Sequence, residues 1–371
     1  MADEEIEVVM ELAAAVVSHK NAITDASTSL GELDALLALA SAAEKYKWGA
    51  PRMTLANVIN IENGRHPLQE FLTSSFIPNN CQIRGGPGSC GPKDDYSFIF
   101  SEMNITKPSM LILTGPNNSG KSIYMKQVAI IVYLAHIGSY VPASSATIGL
   151  TDRILTRIST RETVMDDESA FLIDLKQAAF SVNFATRRSL LLIDEFGKGT
   201  TAEMGAAILA SYLSHFLDLG VDQPKVLVGT HFHDVLKSGF LEPGDGVAFA
   251  HMGVRLDPEA QEVEDQITYL FQLFPGRAES SLGVLCAAAN GVEREVVERA
   301  EYILQLLNKN ENVAEALSTL NEDDVKKLKQ AELVGRRFLA TTFPKPGGDM
   351  SARDIIERLL SAQPDEEETG M

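Results

Sequence analysis

At 371 residues and 45% hydrophobic, the chain can bury a large core and has room for one to three domains. No apolar run approaches the length of a membrane span, and the acidic start, Met-Ala-Asp-Glu-Glu, lacks the basic n-region of a secretory signal. A formal charge of −19 argues against a general nucleic-acid clamp built from this chain alone, because phosphate binding needs a basic surface.

Residues 4–47 read as two helices. Ile6, Val9, Met10, Ala13, Val16 and Val17 fall near helical spacing, and Glu32 to Ala40 restarts the pattern after a break at Ser29 and Gly31. Residues 81–95, rich in Gly, Pro, Cys and Asp, predict an irregular loop. Cys81 and Cys90 flank it and are expected as free thiols. With Cys286 they are too few and wrongly spaced for a zinc site, and they suit a reducing compartment, nuclear or cytosolic. From 110 to 276 apolar runs alternate with helical segments, which predicts an α/β architecture around a central sheet.

Met110 to Thr114 reads as a buried strand, and Ile123 to Ile131 reads as a helix. Between them Gly115, Pro116, Asn117, Asn118, Ser119, Gly120, Lys121 and Ser122 satisfy the P-loop pattern G-x-x-x-x-G-K-[ST]. In that context backbone N–H groups curl around a polyphosphate at a helix N-terminus. Lys121 would reach the β- and γ-phosphates, and Ser122 would offer its hydroxyl to Mg²⁺. Ser169 stands before an apolar run as a candidate helix N-cap. Leu190 to Glu195 is an apolar strand ending in two acids, a Walker B pattern. Asp194 would hold Mg²⁺ directly or through water, and Glu195 would orient the attacking water. Val226 to His231 is another buried-type strand. His231 reads either as a sensor of the γ-phosphate or as a capping histidine.

Val247 to Met252 and Ile267 to Phe271 predict an antiparallel pair with a solvated acidic loop between them. Residues 277–308 predict two helices around Asn290-Gly291. The acidic residues Glu293, Glu295, Glu298 and Glu301 on the second argue against base readout. A helical extension is expected over 309–330 and a chain break at Pro344 to Gly348. A short helix is expected near 351–361, and a disordered acidic tail around Asp365 to Glu368.

Several of these motifs recur, in order, in one family. The P-loop from Thr114 to Gln127, the stretch Ile137 to Ala143, Asp194 to Thr201, Thr230 to Asp234, Gly64 to Leu68 and Phe76 to Asn79 resemble the ATPase region of the MutS family of DNA mismatch-repair and recombination ATPases. The resemblance covers about residues 25–310. Phe196 and Lys198, and the stretch Phe171 to Gln177, are most similar to the meiotic-crossover branch. It implies a P-loop NTPase domain of the ABC type with a mostly parallel sheet. Lever helices over 1–50 would precede the ATPase domain over 51–276. A helix-turn-helix dimerisation element with its extension would follow over 277–340, then a flexible acidic tail over 341–371. It implies ATP and Mg²⁺ as cofactors and adenine stacked on Phe76, which is otherwise an ordinary core aromatic.

The resemblance further implies a second MutS homologue as dimer partner, with Ser169 reaching the partner's γ-phosphate. DNA would be contacted through regions largely absent from this chain, on a nuclear protein. One departure stands out: after Met165, the run Asp166, Asp167 and Glu168 places acids just before Ser169 that repel phosphate unless they turn away. Two other readings stay open, a mismatch-repair subunit and a non-hydrolysing nucleotide switch. The Leu-Ser-Gly-Gly-Gln stretch of transporter-type ATPases is absent.

Overall fold

The computed structural model describes residues 2–88, 108–158, 169–232, 246–257, 266–278, 282–309 and 322–340, with single residues 241, 244, 260, 311 and 313 between them. The chain divides into two compact units, Met1–Val292 and Glu293–Met371.

The first unit opens with α1 (Ala2–Ser18) and α2 (Lys20–Lys45). The elements β1 (Arg52–Thr54), β2 (Val58–Gly64), α3 (Gln69–Leu72) and β3 (Asn79–Arg84) follow. Next come β4 (Met110–Thr114), α4 (Lys121–His136), β5 (Ser145–Gly149), β6 (Ile154–Arg157), α5 (Ala170–Phe184) and β7 (Leu190–Asp194). It closes with α6 (Ala202–Asp218), β8 (Lys225–Gly229), β9 (Val247–Leu256), β10 (Ile267–Pro275) and α7 (Gly283–Ala289).

Six strands form one sheet in the order β10-β9-β4-β8-β7-β6, parallel except for the β9–β10 pair at one edge. The strands β4, β7 and β8 are buried along their whole length. Helices cover both faces, which is why these strands are written as continuous apolar runs rather than alternating ones. Along β4, Leu111 and Leu113 face α4 and meet its Tyr124, Met125, Val128, Ile131, Val132 and Ala135, a helical stripe. The alternate residues Met110 and Ile112 face the other way and join Leu209, Tyr212, Leu213 and Phe216 of α6.

A second sheet, in the order β1-β5-β2-β3, contributes Ile59, Ile61, Ile83 and Ile148 to the α4 side of the core. In the second unit α8 (Arg294–Asn308) and α9 (Glu322–Ala340) are helical.

The structure bears out the parallel α/β sheet, the antiparallel pair near its edge and the helices on either side of Asn290-Gly291. Three expectations change. The break between the first two helices lies at His19, while Ser29 and Gly31 sit inside α2. An exposed glycine in a helix interior costs about 1 kcal/mol relative to alanine, which a 26-residue helix tolerates. Residues Cys81 to Arg84 are not loop but the end of β3, paired with β2, and the Cys81 side chain is buried. The lysine-containing helical extension reaches Ala340 rather than ending near 330. Cys90, the acids Asp166, Asp167 and Glu168, and everything from residue 341 on lie outside the described residues. Most of the acidic loop between β9 and β10 does so too.

A buried lysine ties the two sheets together. Lys225, the first residue of β8, is fully buried. Its Nζ donates to Asn57 Oδ1 and to the Arg188 carbonyl, while Asn57 Nδ2 donates to the carbonyls of Gly86 and Arg187. Burial pulls the Lys225 pKa down from 10.5 to about 7. Between those values the unfolded chain holds a proton that the folded chain releases, so this residue makes stability rise with pH from about 7 to 10.5. Urea denaturation at pH 7 and pH 9.5 checks this. The wild type should gain stability over that interval relative to Lys225→Met, and parallel pH profiles for the two proteins would count against it.

Candidate nucleotide site

The P-loop leaves β4 at Thr114 and enters α4 at Lys121. Two glycines make that turn possible. Gly115 has φ +134 and Gly120 has φ +101, a region open to residues without a Cβ. Ser119 stiffens the loop by donating to the Pro116 carbonyl at 2.7 Å, and Asn118 takes φ +61. Lys121 is buried and folds back on the loop, its Nζ donating to the carbonyls of Gly115 at 2.7 Å and Pro116 at 2.9 Å. Burial lowers its pKa to about 8, against the opposing pull of Asp194 and Glu195.

Parallel pairing brings the other strand ends alongside. Leu113 is level with Gly229, and Gly229 with Asp194. Ser122 donates its hydroxyl to Asp194 Oδ2. The other oxygen, Oδ1, is buried without a hydrogen-bond partner and lies where a side chain on residue 229 would otherwise be. Burial raises the Asp194 pKa, partly offset by the Ser122 hydrogen bond. A hydroxyl and a carboxylate, one oxygen of it unpartnered, are the hard oxygen donors that Mg²⁺ prefers. That ion is usually held by one or two protein groups together with phosphates. The donor set therefore fits Mg²⁺.

Glu195 follows β7 directly, at φ +53, and its N–H donates to the Gly229 carbonyl at 2.8 Å. Its carboxylate lies between His231 and Lys198. His231 Nε2 is 3.5 Å from Oε1, and Lys198 Nζ is 2.6 Å from Oε2. His231 first, then Lys198, hold the Glu195 carboxyl down to about 2 despite partial burial. His231 sits two residues past the end of β8, where Thr230 N–H donates to the Leu113 carbonyl and Thr230 Oγ1 accepts from Phe232 N–H.

Behind this group, Arg157 at the end of β6 donates to the Asp194 carbonyl. It also pairs with Asp174 of α5 in a buried double contact, with 3.0 Å for the Nε bond. Ser169 caps α5, its Oγ accepting from Leu172 N–H at 3.3 Å.

A cavity of about 910 Å³ opens over the P-loop. Asn117 to Ser122, Glu195 and Phe76 line it. The structure thus gathers the P-loop residues, Asp194, Glu195 and His231 at the C-terminal ends of neighbouring parallel strands, and Phe76 lines the cavity together with Asn117 to Ser122 and Glu195. Ser169 is not among the described residues lining it. Phe271, Lys198 and Cys286 are among the lining residues that the sequence reading does not assign to the site. Phe271 reads as an ordinary strand residue, Lys198 as a branch marker, and Cys286 as one of three cysteines that do not suit a zinc site. Cys286 could have been suspected from its place in the helix after the antiparallel pair. Nothing local marks Phe271.

The profile of the family described as MutS domain V matches residues 111–308. The MutS protein homolog 5 of Saccharomyces cerevisiae is 32% identical over 92% of this chain and 38% of its own length. That of Caenorhabditis elegans is 32% identical over 88% of the chain and 22% of its own length. The DNA mismatch repair protein MutS of Chlorobaculum parvum is 34% identical over 81% of the chain and 31% of its own length. The chain thus spans less than two fifths of the length of these relatives. A match over more than half the chain, on a P-loop site of this construction, shows that the chain belongs to the MutS family.

Proposed function

We propose that the chain is the ATP-binding and ATP-hydrolysing part of a MutS homologue that acts in meiotic recombination, paired with a second MutS homologue. The observation that carries the chemistry is the convergence of Lys121, Ser122, Asp194, Glu195 and His231 at the C-terminal ends of three neighbouring parallel strands. The similarity to two MutS protein homolog 5 sequences supports the recombination role.

In this reading Gly115, Pro116, Asn117, Asn118, Ser119 and Gly120 cradle the phosphates through the backbone. Lys121 leaves the P-loop carbonyls for the β- and γ-phosphates, and Phe76 with Phe271 takes the adenine. Ser122 and Asp194 hold Mg²⁺, which when bound neutralises charge on the phosphate oxygens. Glu195, ionised at neutral pH, orients the water, and His231, 3.5 Å from its carboxylate, senses the γ-phosphate. Ser169 serves the partner's site. Residues 1–50 act as the lever, 277–340 as the dimerisation element, and DNA is bound by parts beyond this chain, in the nucleus.

A mismatch-repair role is favoured by the comparable identity to a bacterial MutS. A non-hydrolysing switch is favoured by Lys198, whose ion pair with Glu195 occupies the oxygen that would orient water.

Steady-state ATP hydrolysis against protein concentration tests the reading. Turnover per chain should rise with concentration, as a composite site requires; a flat, low rate with ATP still bound would favour the switch. Glu195→Gln should keep ATP binding and lower turnover by roughly 100-fold or more, the scale of a lost general base. Lys121→Ala should weaken ATP binding by roughly 10- to 100-fold, the worth of a charged hydrogen bond; unchanged affinity would remove the P-loop assignment.

ATP affinity should also fall as pH rises past about 8. There the free chain sheds the Lys121 proton that bound phosphate would retain. Calorimetry at pH 9 in two buffers of different ionisation enthalpy should show proton uptake on binding.

A further inference from the structure

The last strand of the large sheet is broken opposite the P-loop. Tyr269 pairs with Val254 and Leu273 with Met252, so β10 takes four residue steps where β9 takes two. In the middle of this bulge Phe271 adopts φ +53, a region bulky side chains rarely enter unless their surroundings hold them there. Its ring reaches Gly120: Cδ1 lies 3.4 Å from where a Cβ on that glycine would stand.

The group that holds the bulge comes from a distant part of the chain. Asn79, buried at the start of β3, donates from Nδ2 to the Phe271 carbonyl at 2.8 Å. Its Oδ1 accepts from the Leu273 N–H at 2.7 Å. One side-chain amide thus makes the two hydrogen bonds that a neighbouring strand would have made. The same Nδ2 donates to the Ile77 carbonyl at 3.3 Å, next to Phe76, and the Asn79 carbonyl accepts from Gln127 Nε2 of α4 at 3.4 Å. Three segments that wall the cavity meet at this one residue.

We propose that Asn79 is a positioning residue for the nucleotide, acting through Phe271 to fix the aromatic wall that faces the base. The inference deepens the ATP reading above and rests on it. Its content is a division of labour: the P-loop, Ser122 and Asp194 bind the polyphosphate, and Asn79 leaves that half untouched while setting affinity for the flat heterocycle.

The test is calorimetric titration of the whole chain with Mg–ATP and with Mg–tripolyphosphate, which carries the phosphates without a base. Asn79→Asp removes the donor to Phe271 and Ile77 and keeps an oxygen for Leu273. It should weaken ATP binding about tenfold, the scale of one base stacked on an aromatic ring, and change tripolyphosphate binding less than about twofold. In a Phe271→Ala background the same substitution should add less than about twofold, because the group it acts through is gone.

Equal weakening of both ligands would show a merely structural role and overturn the proposal. A further tenfold loss in the Phe271→Ala background would overturn it too. Should Asn79→Asp fail to fold, Asn79→Ser is read by the same ratio. Wild-type protein that binds tripolyphosphate as tightly as ATP would overturn the nucleotide reading itself, whereas normal ATP preference with unaltered preference in the variants overturns the Asn79 proposal alone.

Discussion

Everything at the site depends on the register of three parallel strands. Backbone pairing sets Leu113, Gly229 and Asp194 level with one another. A shift of one residue would carry the Walker B carboxylate to the opposite face of the sheet. The register is secured by burial on both faces: the two side-chain sets of β4 enter different cores, so neither can slip without exposing itself to water. Arg157 adds a polar lock by gripping the Asp194 carbonyl from the next strand and Asp174 from the helix that Ser169 caps. A buried pair of this kind is weak evidence of added stability, but removing one partner would leave a charge stranded. Its clear effect is to define where the end of β7 lies relative to α5.

The electrostatics of the site follow from its depth. Lys121 and Asp194 are both buried, and each is pushed toward its neutral form. Polyphosphate and a divalent cation would relieve both, so the free site is poised for charge that it does not itself supply. Glu195 differs. Half-exposed and flanked by His231 and Lys198, it is held ionised at every physiological pH. The protein thus separates the groups that bind phosphate and metal from the carboxylate that would meet water.

Much of this was legible in the sequence, for a physical reason. The strands β4, β7 and β8 are buried on both faces and so are written as unbroken apolar runs. The P-loop and the Walker B pair depend on glycine geometry and charge within a few residues. The second sheet was not legible. Its first strand has three residues, β2 mixes isoleucine with asparagine and glutamate, and its partner β5 comes some 80 residues later. Residues Cys81 to Arg84 looked like loop because glycines and prolines follow at once, yet they pair with β2. The helix break at His19 was misplaced because these helices carry mostly exposed side chains, so no core contact marks where one ends. Phe271 was invisible because its conformation is decided by Asn79, distant in the chain.

The corner where α2 meets the sheets has an optical consequence. The chain holds one tryptophan, Trp48, and its ring lies 6.2 Å from that of Tyr46. Tyr46 in turn packs on Phe71 of α3 at 4.4 Å, and Gln69 of the same short helix lines the cavity. Intrinsic fluorescence excited at the indole therefore comes from a single point, two aromatic contacts away from the P-loop chamber. The protein carries its own emission probe where the N-terminal helices join the nucleotide fold, and no dye need be attached to follow that corner in time.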